Sequence, residues 1–226
     1  YSVLCGVGED SRGFTGEELS RAGAKPYTPG HLTLGRGDKP LPARPLVVGM
    51  GPAGLFCALL LARAGFAPLI IDRGDGVKDR VQAVERFSTR GILDTESNIQ
   101  FGAGGAGTFS DGKLLTRIND SRGALVLETF REMGAPEDIT LKAKPHVGTD
   151  VLREVVQRML DEIQRLGGQV MYRCRMDAFD RLADGSFTVS TNRGSLSAGL
   201  LILAPGHSAR DTYGMLIRRQ MQVIPK

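Results

Sequence analysis

Apolar residues along the chain fall into three recurring patterns. Leu46-Val47-Val48 is a short unbroken apolar run behind Pro45, as expected of a buried strand. Pro52 to Ala64 holds almost no polar residue and predicts a buried helix, and Ala67 to Ile71 is a second β-rich run that ends at Asp72. Val77 to Arg90 reads as an amphipathic helix, and Arg122 to Met133 as another helix. Further on, Val151, Leu152, Val155, Val156, Met159, Leu160, Ile163 and Leu166 recur at helical spacing. Thr149 or Asp150 is the expected amino cap of that helix, and Gly167-Gly168 its stop. Three strands follow: Gln169 to Arg173 with a continuation to Asp180, Ser186 to Thr191, and Ser195 to Leu203. Asp184-Gly185 and Asn192-Arg193-Gly194 are the turns between them, and Gly206 leads into a helix from Ser208. The order is βαβ, an irregular inserted region, then helix, hairpin and return strand. This predicts an α/β fold with a parallel sheet and an antiparallel, hairpin extension.

Before Pro45 neither periodicity is sustained. Residues 1–44 read as a linker or the tail of another domain, and 45–226 as one domain with an inserted loop or cap region at 91–148. A hydrophobic fraction of 41% and a charged fraction of 24% fit a folded globular chain. The net charge of +4 comes from 29 basic and 25 acidic residues without long runs of one sign, so a nucleic-acid partner is not indicated. Cys5, Cys57 and Cys174 are far apart, which argues against a metal site or a redox dithiol and suits a reducing, cytoplasmic setting. No apolar stretch is long enough to span a bilayer, and no signal peptide is visible. The chain opens on Tyr1 rather than Met, so an upstream part is expected to be missing.

Chemistry concentrates at Gly49-Met50-Gly51-Pro52-Ala53-Gly54, a GxGxxG run between an apolar strand and an apolar helix. In such a turn Gly49 makes the sharp bend, Gly51 lets backbone approach a pyrophosphate, and Gly54 lets helix and strand pack closely. The helix amino end adds free N–H groups and partial positive charge. Asp72, 18 residues after Gly54, stands where an acid accepts hydrogen bonds from ribose hydroxyls. Arg73 beside it fits a 2′-phosphate or, more commonly, a surface charge. A second glycine cluster, Gly102 to Gly107 with Gly104, Gly105 and Gly107, runs into Thr108, Ser110 and Lys113. Its amides can nest a phosphate or the polar edge of a flavin, although alone it is equally a flexible loop. Together the two clusters favour a ligand as long as FAD over a plain NAD domain.

Four stretches resemble the uncharacterised FAD-dependent dehydrogenase family, the NAD(FAD)-utilising dehydrogenases. They are Pro45 to Gly74, Ser97 to Leu114, Lys144 to Asp150 (KPHVGTD) and Leu203 to Thr212 (LAPGHSARDT). The resemblance implies a Rossmann-like, FAD-binding domain of the glutathione-reductase type and an oxidoreductase with non-covalent flavin. NAD(P)H is a candidate reductant, and the substrate is a small molecule of unknown identity. It brings Ala204 and Gly206 to the cofactor and places the backbone of Met176 under the adenine. Ala103 stands where the family carries an acid, and Asp72 where glutamate is usual. The family continues past Lys226, so the chain is expected to be incomplete at its carboxyl end.

His146 and His207 are candidate acid–base groups near a flavin, each with a structural alternative: a loop histidine, or the start of the next helix. Ser110 and Lys113 are candidate donors to the ring, Lys113 equally a solvated charge. Cys57, within the apolar helix, reads as packing. Two other readings stay open, a non-catalytic FAD or nucleotide module and an NAD(P)-binding domain without flavin.

Overall fold

The computed structural model describes residues 16–21, 23, 40–114, 120, 122–140 and 145–224. Most of the expected linker over 1–44 lies outside the described residues, as do Cys5 and Lys144; its described part includes a short helix, α1 (Gly16–Arg21).

The α/β expectation holds. Strands β1 (Pro45–Val48) and β2 (Leu69–Ile71) are buried at every position, the pattern of parallel strands covered on both faces. Between them runs α2 (Pro52–Arg63), and after them α3 (Val77–Arg90), α4 (Arg122–Glu132) and α5 (Thr149–Arg165). Then come β3 (Gln169–Met171), β4 (Met176–Arg181), β5 (Phe187–Thr191), β6 (Gly194–Ala198), β7 (Leu200–Leu203) and α6 (Arg210–Arg218). The main sheet has the order β3-β2-β1-β7, and all its pairs are parallel. Strands β4, β5 and β6 form a separate antiparallel sheet.

Alternation along the parallel strands divides the core in two. Val47 and Ile70 point to one face, where they meet Leu55 and Leu59 of α2 and the apolar stripe of α5 from Leu152 to Ile163. Leu46, Val48, Leu69 and Ile71 point to the other. There they meet Met176, Val189 and Ala198 of the antiparallel sheet and Met215 and Leu216 of α6. The molecule is therefore layered: helices, parallel sheet, then antiparallel sheet with α6.

Four expectations change. The run from Gln169 to Asp180 is two strands in two sheets, because Arg173 takes a left-handed conformation (φ 52°) and turns the chain between them. The run from Ser195 to Leu203 also divides. At Gly199 a Cβ would lie 2.2 Å from the Ala43 carbonyl oxygen, so the chain crosses between sheets where only glycine fits. Neither Thr149 nor Asp150 caps α5: Gly148 occupies that position at φ 80°, and Asp150 pairs with Arg153. Helix α6 begins at Arg210 rather than Ser208, whose hydroxyl is bonded to Gln100.

Candidate functional site

The first glycine turn sits between β1 and α2, and its three glycines answer to different neighbours. Gly49 has φ 106°, and a Cβ there would lie 2.1 Å from the carbonyl oxygen of Ala204 at the end of β7. A Cβ on Gly54 would lie 1.8 Å from the Gly49 oxygen. On Gly51 it would meet no protein atom within 4 Å. The protein's own packing thus demands the outer two, while the middle one faces open space. Pro52 opens α2, where its missing N–H is no loss, and no side chain caps that end. The free amides of the first turn are left for water or a ligand.

Asp72 is buried at 8% exposure beneath this turn. One carboxylate oxygen accepts the Met50 N–H at 2.7 Å, and the other the Gly74 N–H at 2.8 Å. It is first a brace for the turn, and each oxygen keeps a further lone pair for a ligand hydroxyl. Arg73, the expected surface charge, is instead only 12% exposed. Its guanidinium lies 4.5 Å over the Phe101 ring and donates to both oxygens of Asp211 at 2.8 Å. That pairing leaves it ill placed for a 2′-phosphate. Burial works to raise the Asp211 carboxyl, but Arg73 and the Thr212 amide hold it below its ordinary value.

Three cavities adjoin the turn. A small cleft is lined by Asp72, Arg73, Phe101, Cys174, Met176 and Thr212. Met176 reaches it from β4, paired with Thr191, and not from the strand that directly follows Gly167-Gly168. A channel of about 130 Å³ runs past Gly49, Gly51, Pro52, Asp72, Gly102 and Gly105, and is closed by Ala204, Gly206 and His207 on the β7–α6 connection. A third, apolar cavity of about 450 Å³ opens between α2, α4 and α5, with Ala53, Gly104, Gly107, Ser110 and Lys113 at its loop side. Cys57 and Cys174 have thiols pushed up by burial, in keeping with packing roles.

The second glycine cluster is bound to the first. Gly104 N–H donates to the Met50 carbonyl at 2.8 Å, and a Cβ on Gly105 would lie 3.1 Å from Gly51 Cα. Thr108 turns its hydroxyl inward, accepting from Arg80 and donating to the Gly105 carbonyl, so its side chain serves the loop. Ser110 Oγ bonds to the Gly107 carbonyl at 2.8 Å. Lys113 Nζ pairs with Asp111 at 2.7 Å and is largely exposed. Ala103, where an acid was expected, is 1% exposed, and a carboxylate would be buried there.

The two histidines part company. His146 is exposed and lines none of these cavities. Its Nε2 lies 2.6 Å from the Asp111 carbonyl, which can only accept, so Nε2 carries the proton. The same residue bridges to Lys113 as an antiparallel pair. This arrangement ties one loop to another, in keeping with the loop-histidine alternative. His207 is exposed at the channel mouth, beside Ser208 and Gln100.

Sequence reasoning passed over Arg80, which is fully buried and bonded throughout the second loop. Burial pulls its guanidinium down to about 10, against the pull of Asp72. The available signal was its place on the buried stripe of α3 with Val77 and Ala83, where an apolar residue is the norm. Arg153 and Phe109 were missed with it.

Among the described residues, no group of His, Cys, Asp and Glu could hold a metal ion, and no helix is long and apolar enough to cross a membrane. No family model matches the chain. A Clostridium beijerinckii protein, described only as uncharacterized, is 46% identical over 191 residues, covering 84% of this chain and 36% of that protein. The chain thus spans about a third of the length of the curated relative it matches. Among solved structures, the atypical thioredoxin reductase TRi of Desulfovibrio vulgaris Hildenborough is 18% identical, covers 74% of this chain and 36% of its own, and has a TM-score of 0.37. Thermovibrio ammonificans THI4 is 14% identical, covers 80% and 64%, and has a TM-score of 0.48.

Proposed function

We propose that the chain is the dinucleotide-holding part of an FAD-dependent oxidoreductase that acts on a small molecule. The observation that carries this reading is the open side of Gly51, where a Cβ would meet no protein atom within 4 Å. Of the three motif glycines it alone has no packing reason to be glycine, and its open side faces a channel beside an uncapped helix amino end. An anionic diphosphate suits that position. The adenosine would occupy the cleft of Asp72, Phe101 and Met176, with Asp72 taking a ribose hydroxyl on its free lone pairs.

The apolar cavity beside Gly104, Gly107 and Ser110 favours FAD over a plain NAD domain, since a ring system could lie there with a polar edge at the loop. When bound, a flavin supplies hydride transfer at its ring. The chain's own part is to bind, orient and shield. Gly51 and the α2 amides would hold the diphosphate, and Ser110 and Lys113 would donate at the ring edge on exchanging their present partners, the Gly107 carbonyl and Asp111. His207, at the mouth of the diphosphate channel, and His146, beside Lys113 at the loop side of the ring cavity, are the two candidates to hold or move a proton. NAD(P)H as reductant and a cytoplasmic setting belong to the same reading.

The test is to purify the full chain, release any bound cofactor with heat, and identify it by its visible absorbance and mass. FAD in near-equal ratio to protein supports the reading. Recovery of NAD alone, or of nothing with no FAD binding on titration, overturns it. Failure of every nicotinamide or metabolite to bleach the flavin band would leave a binding module in place of an enzyme.

A further inference from the structure

Arg80 rises from the buried stripe of α3 and has no exposed surface. A buried guanidinium is unfavourable unless its donors are satisfied. Here Nε donates to the Asn98 carbonyl at 2.9 Å and Nη2 to the Ile99 carbonyl at 2.7 Å. Nη1 donates to the Ala103 carbonyl at 2.7 Å and to Thr108 Oγ1 at 2.9 Å. The Phe109 ring lies 4.7 Å below its Cζ, and Arg153 stands 4.9 Å from the same ring while donating to the Thr108 carbonyl. All of these acceptors belong to one segment, 98–108, and all are neutral. No ion pair among the described residues includes Arg80, so its charge is not cancelled by a bonded carboxylate.

That segment is also the far wall of the channel. Gly102 and Gly105 line it opposite Gly51, and a Cβ on Gly102 would lie 2.6 Å from Arg80 Cδ. The cation stands one residue behind the surface a ligand would touch.

We propose that Arg80 is a positioning residue for the diphosphate subsite. It fixes the 98–108 wall against the amino end of α2 and places behind it a positive charge that no carboxylate bonds, so that an anionic ligand in the channel is favoured. The proposal rests on the dinucleotide reading above. Lysine cannot replace it, because a single ammonium lacks the planar fork that spans these carbonyls.

Isothermal titration of the full chain with ADP and with adenosine separates the diphosphate from the rest of the site. In Arg80→Met, ADP affinity should fall about tenfold and adenosine affinity by less than about twofold. The salt dependence of ADP binding should flatten in Arg80→Met and persist in Arg80→Lys, which keeps the charge. Equal losses for both ligands would make Arg80 a purely structural residue, and an unchanged ADP affinity would deny it any bearing on the subsite; either result overturns the proposal. Wild-type protein that binds neither ligand removes the nucleotide site and the proposal with it. Should Arg80→Met fail to fold, Thr108→Val withdraws one acceptor and should show the same bias against ADP, to a smaller degree.

Discussion

The two glycine clusters differ in what holds them. The turn at Gly49 to Gly54 is braced by its immediate surroundings: the end of β7 against Gly49, the Gly49 carbonyl against Gly54, and the Asp72 carboxylate on the Met50 amide. The loop from Gly102 to Gly107 has glycines at φ 113°, 87° and 63°, and long side chains from α3 and α5 hold it in place. Main-chain contact sets the first with little freedom left, whereas the second adds to its main-chain bonds, Gly104 to Met50 and Ala103 to Asp75, a few guanidinium bonds that can be removed one at a time. A rigid floor faces an adjustable wall.

Gly49→Ala should have the largest effect. Its Cβ would overlap the Ala204 oxygen at a backbone angle that disfavours alanine, so a loss of more than about 4 kcal/mol is expected, read as a failure to give folded protein. A stable Gly49→Ala protein would show that β7 does not press on the turn. Gly51→Ala should do the opposite: stability within about 1 kcal/mol of wild type, with FAD affinity weakened by roughly 1–3 kcal/mol because the methyl enters the space proposed for the diphosphate. Unchanged affinity in the titration would place the ligand elsewhere.

Asp72→Ala acts on stability, where Gly51→Ala does not. It strips two buried amides of their acceptor, so a destabilisation of about 2–4 kcal/mol in urea unfolding is expected even without ligand. A loss of ligand affinity with no loss of stability would mean that the carboxylate serves only the ligand.

The smallest effect is acid sensitivity of the second loop and the α6 start. Asp94 is held below its ordinary value by Arg173, and Asp211 is held down by Arg73 against the opposing effect of burial. Both carboxylates therefore contribute stability that is full above the unfolded aspartate value near 3.9 and lost as the pH falls through their lower folded values. Melting temperatures should decline below about pH 4, and less steeply in Arg73→Met, which has no Asp211 pair left to lose. Identical acid limbs would exclude the pair from the effect.

The same contrast explains what could be read from the chain alone. Strand, turn, helix, second strand and Asp72 were legible because their determinants lie within thirty residues of one another. The break after β3 was not, since Arg173 keeps its left-handed conformation with the help of Asp75, 98 positions earlier, and Asp94, 79 positions earlier. The division of the last strand at Gly199 depends on Ala43, far upstream. Arg80 sat inside a correctly bounded helix, but its meaning came from a loop that local periodicity does not reach. Arg73 and Met176 both line the small cleft, but the Arg73 pair with Asp211, 138 positions away, and the place of Met176 on β4 were beyond local reading.

The position of β7 beside β1 also has a kinetic side. The wall over Gly49 comes from Ala204, whose N–H closes on the Val48 carbonyl at 2.8 Å, yet the two halves are about 150 residues apart in the chain. Loop closure over that span is entropically slow, and parallel pairing gives no reward until both strands are present. On the ribosome the turn emerges first and remains half-walled until the segment through Leu203 has been made. Nascent protein in that interval carries the glycine turn without the surface that completes it, so a ligand of the channel meets a finished wall only once β7 has been made.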